Sequence, residues 1–284
     1  MADEVVGNYK LQNLMMSGQT SQVWEVVEKT SHRHFAMKIL LPEKTGDEEC
    51  VKSIIHEGSV GKKLAHPFII KIVHFSKSPK NPYFVMEYFP AGSLKLRMLR
   101  KQAEFVKGFA DKILKDAATA FAYMNSSGWV HRDVKPDNIL VNSAGEVRII
   151  DFALAKRIEK PNFFSNLMKK ISKQVNQTTQ GTRSYMSPEQ IRSENLDGRA
   201  DIYSFGATAY EIAAGRPPFV AADSTALLTK HLVEKPLTPK SHNPDLTDDF
   251  CDLVLHMLKK KREDRPKNFH EVLMSLKTLK IYKR

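Results

Sequence analysis

Three short stretches carry side chains suited to orienting a reactant and neutralising charge. H-R-D-V-K-P-D-N, residues 131–138, gathers two carboxylates, an amide and a lysine in one loop. V-R-I-I-D-F-A-L-A-K, residues 147–156, reads as a buried strand that delivers one carboxylate, Asp151, into a loop eighteen residues after Asp133. F-A-M-K ends a strand at Lys38, and Glu57 follows nineteen residues later on an expected helix. Singly, each group has a plainer use. Asp and Asn in loops cap turns, and a solvated Lys–Glu pair contributes little to stability. As a set they favour chemistry that depends on positioning and charge neutralisation more than on covalent help.

The elements that must hold these groups change character along the chain. From Tyr9 to about Glu87, β-branched and aromatic runs at 23–27, 35–41, 69–75 and 83–88 predict strands. Between them, Val51, Ile54, Ile55, Val60 and Leu64 form a helical stripe over 48–64. After Pro90-Ala91-Gly92 the pattern turns helical, with segments at 109–124, 201–214, 225–233, 248–258 and 270–279. A hinge is expected near 87–92. No internal repeat or low-complexity tract occurs.

Composition narrows the function classes. With 284 residues, 42% hydrophobic and 27% charged, the chain is long enough for two cores and has an ordinary globular make-up. A net charge of +12 favours acidic partners. No dense Lys/Arg block with interleaved aromatics points to nucleic acid. Cys50 and Cys251 form no C-x-x-C pair, which fits reduced thiols in a cytoplasmic protein. The acidic start M-A-D-E-V-V-G-N-Y lacks the apolar core of a signal peptide, and no run has the length of a membrane span, so no membrane contact is expected.

The 131–138 loop resembles the catalytic loop of eukaryotic-type Ser/Thr protein kinases, with wording closest to bacterial members, and the resemblance extends over almost the entire chain. It implies an α+β, bilobal protein kinase fold over 9–280: a β-rich N-lobe (9–88), a mainly helical C-lobe (89–280) and an activation segment at 151–189. It also implies ATP with Mg2+ or Mn2+, and protein substrates phosphorylated on Ser or Thr. By the resemblance, Asp133 orients the substrate hydroxyl and accepts its proton, Lys135 touches the transferring phosphate, and Asn138 and Asp151 bind metal. Lys38 would grip the ATP phosphates, positioned by Glu57. Gly18, Val23 and Ala36 fall at nucleotide-site positions. Met86 would border the adenine pocket, and backbone groups of Glu87 and Phe89 would bond the base edge. G-T-R-S-Y-M-S-P-E, residues 181–189, resembles the end of an activation segment. Thr182 would pack against Asp133 and Lys135, Glu189 would pair with Arg265, and Asp201 would anchor the catalytic loop.

The chain departs from the family pattern in three places. Against G-x-G-x-x-G-x-V it has M-S-G-Q-T-S-Q-V, residues 16–23, so only Gly18 survives. The lost glycines should weaken or stiffen phosphate contact without removing it, because backbone N–H groups remain. Ala153 replaces the glycine of Asp-Phe-Gly; it tolerates negative φ and penalises any alternative with positive φ by about 1–2 kcal/mol. The activation segment is long, and Phe163, Phe164, Leu167, Met168, Ile171 and Val175 predict a helix within 162–175, packed on its own chain or serving as a docking or membrane-surface helix. Thr178 and Thr179 follow. Arg132 could pair with either once phosphorylated, which implies autophosphorylation and, with it, self-association. Two rivals stay open: a pseudokinase or weakly active ATP-binding scaffold, and a small-molecule phosphotransferase. The helix after the hinge, residues 94–101, is basic and argues against a preference for arginine-rich substrates.

Overall fold

A computed structural model describes residues 4–76, 78, 82–100, 102–158 and 182–283. The expected helix at 162–175 and both Thr178 and Thr179 lie outside these residues. The chain divides into two units, Met1–Ala91 with Ile150–Leu154, and Gly92–Ile149 with Ala155–Arg284.

In the first unit, β1 (Val5–Val6), β2 (Tyr9–Ser17), β3 (Ser21–Glu28), β4 (His34–Leu40), β5 (Ile72–Phe75) and β6 (Tyr83–Glu87) form one antiparallel sheet in the order β1-β2-β3-β4-β6-β5. Alternation along β4 and its neighbours sorts side chains by face. Tyr9, Leu11, Val26, Phe35, Met37 and Val85 make one buried cluster. Val23 stands opposite Lys38, and Ala36 opposite Met86, so these four share the other face.

The helix α1 (Glu48–Gly61) packs against β4, β5 and β6. Asp47 caps it, accepting from Glu49 N at 3.0 Å and Cys50 N at 3.2 Å. Its last residue allows close approach: a Cβ on Gly61 would stand 2.6 Å from Ile72 Cγ1 and 3.0 Å from Phe152 Cδ2. Phe152, only 1% exposed, thus joins the first unit although it follows the loop of 131–138 in sequence.

The second unit is mainly helical. β7 (Gly92–Ser93) leads into α2 (Leu94–Leu99) and the long α3 (Ala103–Ser126). β8 (Trp129–Val130), β9 (Ile139–Val141), β10 (Val147–Ile149) and β11 (Lys156–Arg157) form two small sheets, β10-β9-β7 and β11-β8. After 181 come α4 (Pro188–Ile191), α5 (Gly198–Ala214), α6 (Ser224–Val233), α7 (Asp248–Met257) and α8 (Phe269–Thr278). Buried residues run without a break from Ala200 to Ala213, so α5 is enclosed on all sides; α3, α6 and α7 present apolar stripes instead. The fold class read from the sequence, a β-rich part with one helix and a mainly helical part, is the one observed. Among the described residues no helix is long and apolar enough to cross a membrane.

Candidate active site

In the second unit the site is built from the loop between β8 and β9. Asp201, fully buried on α5, accepts from His131 N at 2.8 Å, Arg132 N at 2.9 Å and Asn125 Nδ2 at 3.1 Å. These bonds hold Arg132 at a φ of 70°, left-handed backbone that a non-glycine residue adopts only against a cost of about 1–2 kcal/mol. His131 is fully buried, its ring edge-on to Phe121. The loop therefore turns sharply at Arg132 and presents Asp133.

Asp133 is held from two sides. Asn138 Nδ2 donates to the Asp133 carbonyl and to its Oδ2, both at 2.8 Å, while Lys135 Nζ lies 2.7 Å from the same Oδ2. The amide nitrogen of Asn138 is thus committed to Asp133, and its oxygen is the end that could meet a cation. Gln190 ties the segment after 181 to this loop, donating to the Arg132 carbonyl at 2.8 Å while completing a capping box with Ser187 at the start of α4. Glu189 receives Arg265 through both terminal guanidinium nitrogens, at 2.6 and 2.9 Å, with the pair buried. Arg265 also donates to the carbonyls of Lys259, Arg199 and Lys260. The side chain of Thr182 lies outside the described set.

In the first unit Lys38 Nζ meets Glu57 Oε2 at 2.7 Å. Burial works against the ammonium, yet the carboxylates of Glu57 and Asp151 more than offset it and hold the Lys38 pKa above the ordinary lysine value. Burial, opposed by Lys38 and reinforced by Asp151, pushes the Glu57 carboxyl up to about 7. Asp151 itself has a φ of 66°, and its Oδ1 accepts from Ala153 N at 3.3 Å. The left-handed residue of this turn is therefore Asp151. Ala153 is not among the described residues with positive φ, so the methyl that replaces hydrogen there causes no backbone strain in this conformation.

Gly18 lies in the β2–β3 turn, its N–H donating to Ser21 O at 2.9 Å. Met16, opposite Val23, is 56% exposed. At 87–89 the backbone is partly spoken for, since Glu87 N donates to Lys71 O at 2.9 Å. Any base contact from Glu87 would come from its carbonyl. Phe89 is buried.

The sequence-predicted residues thus gather as Lys38, Glu57 and Asp151 in the first unit and Arg132, Asp133, Lys135 and Asn138 in the second. Asn125, Gln190, Lys95, Glu211 and Tyr185 were missed as supporting residues. Glu211 of α5 is nearly buried and takes Lys95 Nζ at 2.5 Å and the Tyr185 hydroxyl on its other oxygen. Burial and the neighbouring Glu211 carboxylate push the Tyr185 phenol up, so it stays a donor. Partners 116 residues apart leave no spacing signal.

The oxygen donors of Asp151 and Asn138, one in each unit, are of the type that a hard divalent cation such as magnesium takes. Asp151 and Asn138 offer one oxygen type each, and among the described residues no group of three or more His, Cys, Asp or Glu side chains forms a separate metal cage.

A family model described as the protein kinase domain matches residues 9–275. A probable serine/threonine-protein kinase of Clostridium acetobutylicum is 32% identical over 285 residues, 99% of this chain and 41% of that protein. The serine/threonine-protein kinase PknB of Mycobacterium leprae is 30% identical over 263 residues, 90% of this chain and 40% of its own length. A probable serine/threonine-protein kinase of Clostridium perfringens is 28% identical over 281 residues, covering 99% and 39%. The chain spans about two fifths of the length of these relatives.

Proposed function

The chain belongs to the protein kinase domain family, and on that premise we propose that it is a serine/threonine protein kinase, moving the γ-phosphoryl group of ATP to a Ser or Thr hydroxyl of a protein substrate. The observation that carries this reading is the arrangement at Asp133, gripped by Asn138 and Lys135 at 2.7–2.8 Å. A carboxylate fixed in this way can orient a hydroxyl and take its proton, while the adjacent ammonium balances charge on the group in transfer. Lys38, oriented by Glu57, would bind the phosphates. Asp151 in the first unit and the Asn138 oxygen in the second would each offer a ligand to magnesium, whose chemistry would be to neutralise charge on the phosphates. Lys135 favours Ser and Thr over Tyr as acceptor, and the names of the similar proteins agree. Autophosphorylation near Thr178 or Thr179, with Arg132 receiving the phosphate, belongs to the same proposal.

Met16 at a former glycine position, exposed at the sheet tip, favours a second reading, a weakly active ATP-binding scaffold. An ATP-consumption assay with Mg2+ and a generic protein substrate separates the two. The kinase reading expects turnover that Asp133→Asn lowers by about 10²–10⁴-fold, the usual worth of a positioned general base. ATP binding without such turnover supports the scaffold. Phosphopeptide mapping after incubation with ATP checks Thr178 and Thr179.

A further inference from the structure

The basic helix α2 has one lysine, Lys95, whose partly exposed side chain reaches an acid of α5. Lys95 Nζ lies 2.5 Å from Glu211 Oε1 on α5, and Glu211 is only 4% exposed. Its other carboxylate oxygen accepts from the Tyr185 hydroxyl. Arg97, next along α2, is used differently: it donates to Val141 O at 2.8 Å and to Gln102 and lies over the Phe105 ring. Only Lys95 is committed to an acid of α5.

This cluster borders Asp133. The helix α2 packs against the turn Pro136–Asn138, and the turn Thr182–Tyr185 packs on α5. Tyr185 therefore connects the residues just beyond 181 to Glu211, while Gln190 connects the same segment to the Arg132 carbonyl. A buried carboxylate at such a place would attract a basic side chain of an incoming peptide, because a guanidinium fits a carboxylate with two parallel hydrogen bonds. Here both oxygens are occupied from within the chain, and Lys95 adds a like charge. The acidic groups of the adjoining 131–138 loop are Asp133, paired with Lys135, and Asp137, which is exposed. Arg183, half-buried, adds a further positive charge to the same segment.

We infer that Lys95 is a specificity-determining residue: by filling Glu211 it selects against acceptor peptides with arginine or lysine close to the phosphorylated Ser or Thr, and leaves neutral or acidic sequences as the substrate class. The inference rests on the kinase reading above. It gives the charge of α2 a specific use, for only the lysine aimed at α5 sets the preference.

The test is a positional peptide library scored as the ratio of kcat/KM for arginine-containing over alanine-containing peptides. Lys95→Met removes the charge; Lys95→Gln keeps a donor to Glu211 and serves should the methionine variant fold poorly. Either should raise the ratio by about tenfold at one or two positions near the acceptor. Adding Glu211→Gln should bring it back toward the wild-type value, and Lys95→Arg should leave it unchanged. A ratio that stays at the wild-type value in both neutral variants overturns the inference, as does a gain that survives Glu211→Gln. Failure of the wild-type protein to phosphorylate any peptide overturns the kinase reading instead.

Discussion

A lysine and a glutamate nineteen residues apart carry a pH response in their pairing. Burial lifts the Glu57 carboxyl to about 7, so the ion pair with Lys38 is complete above that pH and is lost as Glu57 gains a proton below it. Lys38 keeps its charge throughout, its own pKa being raised. Acid therefore releases the ammonium from its guide without neutralising it. The KM for ATP should rise as pH falls from about 8 to 6, and Glu57→Gln should show a high KM with that limb of the profile removed. An identical acid limb in the variant would assign the titration to another group. Sequence legibility is highest at this scale, because the chemistry restricts the residue types: Lys38, Glu57, Asp133 and Asn138 can be picked out by kind and interval. The left-handed turn is harder to locate. Ala153 draws attention as a missing glycine, yet the positive φ falls on Asp151 and on Arg132, residues whose side chains or neighbours supply compensating bonds that no motif displays.

Among the elements, α1 is the part whose placement governs Glu57. It ends on Gly61 because Ile72 and Phe152 approach where a Cβ would be, at 2.6 and 3.0 Å. Gly61→Ala should push the helix end away from β5 and Phe152, costing about 1–3 kcal/mol as overpacking does and lengthening the Lys38–Glu57 contact. Two measurements separate the consequences: melting temperature reads the packing cost, and the KM for ATP reads the displacement of Glu57. A fall in stability with an unchanged KM would mean that the helix absorbs the methyl at its last turn. The strands and longer helices are readable from periodicity, since one face of each is apolar. The membership of Ile150–Leu154 in the first unit is not readable in that way, because it depends on Phe152 finding a space made by a glycine 91 positions earlier. The Lys95–Glu211 contact is silent for the same reason, joining two elements whose separation no periodicity fixes.

For the molecule as a whole, the second unit is organised around α5, and its polar interior makes it sensitive to acid. His231 is fully buried on α6, its Nδ1 3.0 Å from the Tyr203 hydroxyl and its ring 4.9 Å from that of Phe219. Lys260 lies beside it, donating to the His231 carbonyl at 2.8 Å over the face of Phe219. Burial, with the Lys260 charge adding to it, pushes the His231 pKa down to about 3. The folded chain keeps this imidazole neutral where the unfolded chain, titrating near the ordinary value of about 6.5, already binds a proton. Its contribution is thus fully present above about 6.5 and declines as pH falls toward 3, by about 1.4 kcal/mol per pH unit. Trp129 reports on this unit once Trp24→Phe has silenced the other tryptophan, so denaturant unfolding followed by fluorescence between pH 5 and 7 measures the slope. Replacing His231 by Gln in that background should flatten the acid side by about one proton. It should also lower stability near neutrality, because Tyr203 loses an imidazole partner. An unchanged slope would mean that His231 does not set the acid response and is only a packing residue under the turn Thr182–Tyr185.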